Sequence, residues 1–200
     1  MSKILVATHN VGKQKEIWAL LNEIPAELVA PDQLNLDLAV KETGSTYAEN
    51  AALKALAYAK ASGLISLADD SGLEVDALDG LPGLHSARFA PWTGASDADR
   101  RALLLESLQS KAPPWTARFR CIVAIASPSG ETQFAQGTCP GVIISEERGQ
   151  KGFGYDPIFL LPELGKTMAE LDMEEKNQLS HRGRAVRVAY PILLEMLKYL

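Results

Sequence analysis

The chain has 200 residues, 46% of them hydrophobic and 22% charged, which is ordinary for a folded globular domain and far from a disordered composition. The formal net charge of -5 argues against affinity for a nucleic-acid backbone, which needs a broad basic surface, so we expect no nucleic-acid polymer as partner. One nucleotide could still bind in a local pocket. Cys121 and Cys139 lack the spacing of a zinc site or a disulfide framework. The apolar run at residues 4–7 is too short for a signal peptide or a membrane span, so we expect a cytoplasmic protein without membrane association.

The first segment predicts a strand at residues 3–8 and a helix at residues 12–22. The loop between them, Thr8-His9-Asn10-Val11-Gly12-Lys13, carries a hydroxyl, an amide and an ammonium where a helix N-terminus offers free backbone donors. Such a loop suits a bound anion. On its own, however, it is better explained as a capped helix start with a surface lysine. It is not a Walker A motif, because Ala7 and Gln14 stand where glycine and a hydroxyl residue are required.

A second helix is predicted at residues 47–62, because Thr46-Tyr47-Ala48-Glu49 is a capping box and Gly63 is a typical C-terminal stop. Asn50 and Lys54 lie four residues apart and therefore share one face of this helix. They could carry an amide and an ammonium to a common cleft. Two polar residues on a solvated helix face are the simpler explanation.

Two adjacent carboxylates end the next predicted strand, at residues 65–70. The stretch Asp69-Asp70-Ser71-Gly72 suits a cation or a shared proton, because neighbouring acids repel each other. Asp, Ser and Gly are also the usual formers of a turn after a strand. The stretch alone does not decide between these interpretations. A further half-buried strand is predicted at residues 73–78.

The middle of the chain predicts packing elements and one unusual loop. We expect a helix at residues 97–109, a hairpin of strands at 117–126 and 132–135, and a third strand at 141–144 after Pro140. The loop at residues 149–157 contains three glycines and two aromatics, Phe153 and Tyr155, which we expect to be exposed. Glycines permit close backbone approach to a ligand and an aromatic ring can stack on a base, whereas a flexible connector is the alternative.

The last predicted helix opens with Ser180-His181-Arg182, and we expect Pro191 to kink or divide it. Its apolar face is predicted to hold Ala185, Val188, Ala189, Ile192 and Met196. Cations in the first turn oppose the helix dipole at a cost of about 0.3–1 kcal/mol. They indicate either a bound ligand or an acidic neighbour that offsets the cost.

Six motifs in order resemble the inosine/xanthosine triphosphate pyrophosphatase family over almost the whole chain. They are Thr8-x-Asn10-x-x-Lys13, Glu42-Thr43-Gly44 leading to Asn50 and Lys54, Asp69-Asp70-Ser71-Gly72, Ser86-Ala87-Arg88-Phe89, Phe153-Gly154-Tyr155-Asp156-Pro157 and Ser180-His181-Arg182. Each is modest alone, but their common order and spacing make coincidence implausible. Pro91-Trp92 departs from the family, which often has glycine soon after the aromatic.

The resemblance implies an α/β fold: one domain over residues 1–200, two-lobed, with a long central mixed β-sheet flanked by helices and a nucleotide cleft between the lobes. It also implies a homodimer that hydrolyses ITP, dITP or XTP to the monophosphate and pyrophosphate with Mg²⁺. Such an enzyme removes these nucleotides from the pool before they enter DNA or RNA.

The resemblance also assigns roles to individual residues. Asp70 would accept the proton and bind the metal together with Glu42, and whether Asp69 also binds the metal stays open. The triphosphate would contact Thr8, Asn10, Lys13, Lys54 and Ser71, with His9, Val11 and Gly12 in the same loop. The base would meet Phe153 as stacking platform and Asp156, Lys176, His181 and Arg182 as polar groups, with Gly154 and Tyr155 in the same segment. His181 and Arg182 would donate hydrogen bonds to the carbonyl at purine position 6. The amino group of adenine is itself a donor at that position, so it would leave buried groups unpaired at a cost of about 1–3 kcal/mol each.

Two other classes remain as alternatives. A Maf-like nucleotide pyrophosphatase would act on pyrimidine or modified nucleotides, but it lacks this combination of glycine-aromatic loop and Ser-His-Arg helix start. A non-catalytic nucleotide sensor would keep the pocket and should have lost a metal-binding acid, yet none of these acids is missing from the sequence.

Overall fold

The computed structural model describes residues 2–198 and has an α/β fold built on a mixed sheet, as predicted. The strands of this part of the chain are β1 (Lys3–Val6), β2 (Glu27–Val29), β3 (Ile65–Val75), β4 (Trp115–Ala126), β5 (Thr132–Ile143), β6 (Phe159–Leu161) and β7 (Lys166–Thr167). Its α-helices are α1 (Val11–Leu20), α2 (Tyr47–Ser62), α3 (Asp97–Leu108), α4 (Met173–Leu179) and α5 (His181–Leu197).

The strand order in the sheet is β2-β1-β3-β4-β5-β6-β7. Strand β1 pairs in parallel with both β2 and β3, whereas β6 pairs antiparallel with β5 and β7. Parallel neighbours need a crossover, which the helical segments after β1 and β2 supply. Among residues 2–198 no helix is long and apolar enough to cross a membrane.

The chain divides into two compact units. The first comprises the described residues of Met1–Asp70, Cys121–Gly137 and His181–Leu200, and the second comprises Ser71–Arg120 and Thr138–Ser180. Strands β3, β4 and β5 each contribute residues to both units. Asp70 is the last residue of the first unit along β3.

In the first unit, the alternation of side chains along β3 decides which helix each residue meets. Ile65 and Leu67 belong to one buried cluster, which also contains Ile17 of α1 and Val186 of α5. Ala68 belongs to another, shared with the alanines of α2. Because successive side chains of a strand point to opposite faces, Asp69 lies on the face of Ile65 and Leu67. Asp70 lies on the opposite face, with Ala68.

Helix α2 has the predicted ends. The Thr46 side chain accepts from the Glu49 backbone N–H at 3.2 Å, the Glu49 side chain returns to the cap, and Gly63 ends the helix with φ 70°. Ala51 and Ala55 are fully buried, and their small side chains let the helix approach the sheet closely. The capping box and the glycine stop are local signals, which explains why sequence placed them correctly.

Close approach also explains one glycine on β5. A Cβ at Gly137 would lie 2.2 Å from the carbonyl oxygen of His181 and 2.5 Å from the backbone nitrogen of Ala185. The first turn of α5 therefore packs directly on the backbone of β5, and only glycine leaves room for it.

The core of the second unit is built around aromatic and aliphatic residues of β3, α3 and the following strands. Leu73, Leu104 and Phe159 are fully buried there, and the rings of Phe119 and Phe159 lie 4.5 Å apart between centroids. Tilted aromatic pairs at this separation add to the burial energy of the rings. Residues that follow β5, among them Tyr155, Ile158 and Met168, are buried in this core.

Two strands are longer than the sequence indicated. Strand β3 runs without a turn from Ile65 to Val75, so the two acids lie within the strand and the predicted break after Asp70 is wrong. Strand β5 likewise continues through Pro140 to Ile143, where a separate third strand was expected. Along β3, pairing with the neighbouring strands β1 and β4 outweighs the local turn propensity of Ser and Gly, because extended backbone gains ladder hydrogen bonds. Pro140 lacks the N–H donor, and β5 nevertheless continues through it.

The C-terminal helix is continuous, and one residue of its predicted apolar face is corrected. Pro191 lies within α5, which is neither ended nor divided there. Val188, predicted on the apolar face, is 51% exposed, whereas Ala185 and Ala189 are buried as predicted. Ile192 and Met196 are partly buried and pack against the same core cluster as Ala185 and Ala189, and Val186 and Leu193 complete the buried face.

Candidate active site

On one face of β3, the carboxylate of Asp69 is held by two cations. Its Oδ2 atom lies 3.0 Å from Lys13 Nζ and 3.0 Å from Arg182 Nη2, and Arg182 Nε donates to the same atom at 3.2 Å. Arg182 is only 1% exposed, and its Nη1 donates to Glu16, which is itself buried. The four side chains form a chain of alternating charge: Glu16, Arg182, Asp69 and Lys13.

The charges of this chain balance one another. Burial alone would raise the pKa of the Asp69 carboxyl, but the positive charges of Lys13, Arg182 and Lys54 outweigh burial and hold it far below its ordinary value. Burial would lower the pKa of Arg182, and Asp69 and Glu16 raise it above its ordinary value instead. Asp69 is therefore a permanent anion whose charge is already neutralised.

On the opposite face of β3, Asp70 faces a different set of groups. Lys54 Nζ lies 3.8 Å from Asp70 Oδ1, 2.7 Å from Glu42 Oε1 and 2.8 Å from the backbone oxygen of Asp69. The Asn50 side chain donates a hydrogen bond to Asp70 and accepts one from the Gly44 backbone N–H at 2.8 Å. The predicted shared face of Asn50 and Lys54 thus lies against the two acids, not in solvent.

On this second face, Glu42 and Asp70 both lie close to the ammonium of Lys54. Burial raises the pKa of Asp70, Lys54 and Lys13 offset part of that shift, and the Glu42 charge adds to it. Burial opposes the charge of Lys54, but Asp69, Asp70 and Glu42 raise its pKa overall. The pKa of Asp70 is therefore raised above its ordinary value although Lys54 lies beside it.

Glu42 and Asp70 are also the acids that fit a divalent metal ion. Within residues 2–198, no three His, Cys, Asp or Glu side chains are grouped as a closed metal site would require. However, Mg²⁺ keeps several waters and commonly binds through one or two carboxylates plus substrate phosphates. Asp69 does not fit this ligand set, because its side chain belongs to the other face of the strand and is bound by Lys13 and Arg182.

The loop before α1 is a capped helix start that also presents backbone donors. Asn10 is the N-cap residue and accepts from the Lys13 backbone N–H at 2.9 Å, and Thr8 Oγ1 accepts from the Asn10 N–H at 3.2 Å. His9 Nε2 lies 2.8 Å from the Tyr58 hydroxyl oxygen. Val11 is 62% exposed and opens the helix together with Gly12. The geometry fits both a capped helix start and a loop that binds an anion. Lys13, however, is paired with Asp69 and is not a surface lysine.

In the second unit, Asp156 binds two other residues that the resemblance assigns to the base. Its Oδ2 atom accepts from the Phe153 backbone N–H at 2.8 Å and from Lys176 Nζ at 2.6 Å. The Lys176 ammonium also lies 4.8 Å from the centroid of the Phe153 ring. Asp156 and Lys176 are buried, whereas Phe153 is half-buried. The structure thus brings the ring, the acid and the ammonium together.

The neighbouring Tyr155 corrects an expectation. It is buried, not exposed, and its hydroxyl donates to the Ser86 backbone oxygen at 2.9 Å. Its large apolar ring packs in the core of the second unit. Tyr155 therefore anchors the loop at residues 149–157 to the core of the second unit.

Ser71, which follows Asp70 on β3, is half-buried.

His181 and Arg182 lie in the first turn of α5 and are both buried. For Arg182 the unfavourable position at the positive end of the helix is offset by the acidic neighbours Asp69 and Glu16. Sequence reasoning missed Glu16 altogether. In the stretch Gln14-Lys15-Glu16 a lone acid resembles a solvated helix residue, and the only signal was its position three residues after Lys13.

Comparison with known proteins gives consistent results. The model of the Ham1 family matches residues 4–191. A dITP/XTP pyrophosphatase of Desulforamulus reducens is 49% identical over 96% of this chain and 95% of its own length. A dITP/XTP pyrophosphatase of Listeria monocytogenes is 45% identical over 99% and 98%.

Solved structures agree with these relatives. A HAM1 protein from Coxiella burnetii has 39% sequence identity and a TM-score of 0.88, with 98% of this chain and 100% of that chain covered. A nucleoside-triphosphatase, dITP/XTP pyrophosphatase, from Mycobacterium abscessus has 42% identity and a TM-score of 0.74, covering 94% and 99%. The similarity therefore spans nearly the whole of each protein.

Proposed function

This chain belongs to the Ham1 family, and on that basis we propose that it hydrolyses non-canonical purine nucleoside triphosphates, namely dITP, ITP and XTP, to the monophosphate and pyrophosphate. The observation that carries this proposal in the structure is the arrangement on one face of β3, where Asp70, Glu42 and Lys54 lie together. Removal of such nucleotides from the pool keeps them out of DNA and RNA.

The proposed reaction is attack of water on the α-phosphorus. The water oxygen forms a bond to phosphorus, the bond to the bridging oxygen breaks, and pyrophosphate leaves with the electron pair. Asp70 takes the proton of the attacking water, a role suited to a buried carboxylate whose pKa is raised. Lys54, between Asp70 and Glu42, is placed to stabilise negative charge that develops on phosphate oxygens.

We propose that the metal is Mg²⁺ and that Glu42 and Asp70 hold it. When bound, the ion neutralises charge on the phosphates and orients the water. The position of both carboxylates around the Lys54 ammonium supports that assignment, and the ion pairs of Asp69 with Lys13 and Arg182 argue against its participation.

The triphosphate needs further cations and backbone donors. We assign these to Lys13, Lys54 and Ser71, and to the loop that opens α1, where Thr8, His9, Asn10, Val11 and Gly12 surround a helix N-terminus. A helix N-terminus favours negative charge through its free N–H groups and its dipole. Lys13 and Lys54 are now neutralised by carboxylates, so each would exchange its partner for phosphate when the nucleotide binds.

For the base we propose Phe153 as the stacking surface, with Asp156, Lys176 and His181 as polar contacts and Gly154 and Tyr155 shaping the segment. The ammonium of Lys176 against the Phe153 ring supports a polar group beside a stacked base. The resemblance also implies a base contact for Arg182. Its contacts favour a different role, because they tie its guanidinium to Asp69 and Glu16.

Three further properties are proposed from the family resemblance. They are a single functional domain over the chain, assembly as a homodimer, and a cytoplasmic location. Sedimentation equilibrium of the purified protein tests the second: a mass near twice that of one 21.6 kDa chain is expected.

A panel of nucleotides tests the proposed function. We expect Mg²⁺-dependent turnover of dITP, ITP and XTP, with a much lower kcat/KM for dATP, dTTP and UTP. Preference for dTTP or UTP would instead favour a Maf-like specificity. Binding of dITP without turnover would favour a nucleotide sensor.

A further inference from the structure

The segment that carries Phe153 is held by two side chains of α3 that the mechanism above does not use. The backbone N–H of Gly154 donates to Asp97 Oδ2 at 2.7 Å. The backbone oxygen of the same residue accepts from Arg101 Nη1 at 2.9 Å. Both polar atoms of one loop residue are thus bound by the first two turns of a helix that lies more than fifty residues earlier in the chain.

These two side chains are themselves fixed in position. Arg101 forms a two-pronged ion pair with Glu147, with Nε 2.8 Å from Oε1 and Nη2 2.9 Å from Oε2. Asp97 also pairs with Arg100. Burial would raise the pKa of Asp97, but the Gly154 N–H and Arg100 lower it overall, so the acceptor stays ionised at neutral pH. The planar fork of arginine leaves little freedom in such a pair.

The Gly154 contacts determine where its neighbours lie. Gly154 has φ 62°, a conformation that favours glycine, and it sits between Phe153 and Tyr155. On one side, the Phe153 N–H is bound by Asp156, and on the other, the Tyr155 hydroxyl is bound by Ser86. Hydrogen bonds therefore hold three successive residues: Phe153 and Gly154 through their backbone and Tyr155 through its hydroxyl.

We propose that Asp97 and Arg101 are positioning residues for base recognition: by holding the peptide groups of Gly154, they fix the Phe153 ring and the Asp156–Lys176 pair for the purine. This inference rests on the proposed function. The two residues act through the loop and do not touch the reacting atoms. Their loss should weaken recognition of the base and leave the hydrolytic step nearly unchanged.

The kinetic test uses Arg101→Met, Arg101→Lys and Asp97→Ala in the full chain. For Arg101→Met and Asp97→Ala we expect the KM for dITP to rise about 10- to 100-fold, which corresponds to the loss of one charge-assisted hydrogen bond. We expect kcat to stay within about threefold and the ratio of kcat/KM for dITP over dATP to fall. Arg101→Lys keeps the charge but loses the fork, so it should recover part of the KM.

The matched control is Arg118→Met. Arg118 also lies in the second unit and pairs with Asp76 and Glu74. These two partners lie outside residues 149–157, so the KM of the Arg118→Met variant for dITP should match that of the wild type. Thermal unfolding of every variant establishes that it is folded at the assay temperature.

A second measurement does not depend on activity. Hydrogen–deuterium exchange of peptides covering residues 149–157 should be at least tenfold faster in Arg101→Met than in Arg118→Met. Unchanged exchange, or a fall in kcat with unchanged KM, would overturn the positioning role. If the wild type does not hydrolyse dITP, the proposed function fails, while the exchange result still decides whether Arg101 orders the loop.

Discussion

Asp69 and Asp70 are adjacent in β3, yet their carboxyl groups meet different charges because strand side chains alternate between faces. Asp69 lies between Lys13 and Arg182, which hold its pKa far below the ordinary value. Asp70 is buried beside Glu42, and its pKa is raised although Lys54 offsets part of the shift. The two acids thus divide into one structural anion and one acid that can accept a proton.

Asp70→Asn tests the chemical role at this position. The amide keeps the size of the side chain but cannot accept the proton, so we expect kcat for dITP to fall by at least 10²-fold. Nucleotide affinity, measured by calorimetry with a non-hydrolysable dITP analogue, should change by less than about tenfold. Normal turnover by this variant would remove Asp70 from its role.

Asp69→Asn tests the structural role. The change leaves two cations facing a neutral amide, and we expect the free energy of unfolding at pH 7 to fall by about 3–5 kcal/mol. The exposed pair Asp76–Arg118 provides the control, since Asp76→Asn should cost less than about 1 kcal/mol. Urea unfolding of the three proteins measures both values.

The same variant has an expected pH dependence. Because the folded-state pKa of Asp69 is depressed, its stabilisation is present above the unfolded pKa of about 3.9 and is lost as pH falls through the folded value. The difference in unfolding free energy between wild type and Asp69→Asn should therefore narrow below about pH 4. A difference that is constant from pH 7 to pH 3 would contradict this assignment.

At the scale of elements, the sequence reveals features that depend on neighbouring residues, but not those that depend on contacts with distant parts of the chain. Helix α2 was predicted to its ends because Thr46, Glu49 and Gly63 act within a few residues of one another. The length of β3 depends on pairing with strands far along the chain, so its turn-forming residues were misleading. Arg182 and Asp69 are 113 positions apart, and no local pattern indicates their ion pair.

The same contrast applies to the loop at residues 149–157. Its glycines and aromatics were visible in the sequence, but the burial of Tyr155 depends on Ser86 and the core of the second unit. Its attachment to Asp97 and Arg101 depends on the packing of α3. The candidate residues were therefore predicted better than their individual contacts.

Thr46→Ala is a prediction for an element. The Thr46 hydroxyl satisfies the Glu49 N–H at the start of α2, and its removal should lower the free energy of unfolding by about 1 kcal/mol. Thr46→Ser keeps the acceptor and should lie within about 0.5 kcal/mol of the wild type. Equal losses for both variants would show that the cap is not the source of the effect.

At the scale of the whole molecule, the chain matches its Ham1 relatives over nearly its full length. The first unit contains the carboxylates and lysines proposed for the metal and the phosphates, and the second contains the Phe153, Asp156 and Lys176 group proposed for the base. Neither set alone specifies both the reaction and the substrate. The central claim therefore concerns which bond of which nucleotide is broken.

The most direct test is product analysis with purified protein, dITP and Mg²⁺, in which pyrophosphate and orthophosphate are quantified separately. We predict one pyrophosphate and one deoxyinosine monophosphate for each dITP consumed, no orthophosphate, and loss of turnover when the divalent ion is chelated. Release of orthophosphate with deoxyinosine diphosphate would place the attack at the γ-phosphorus and contradict the account.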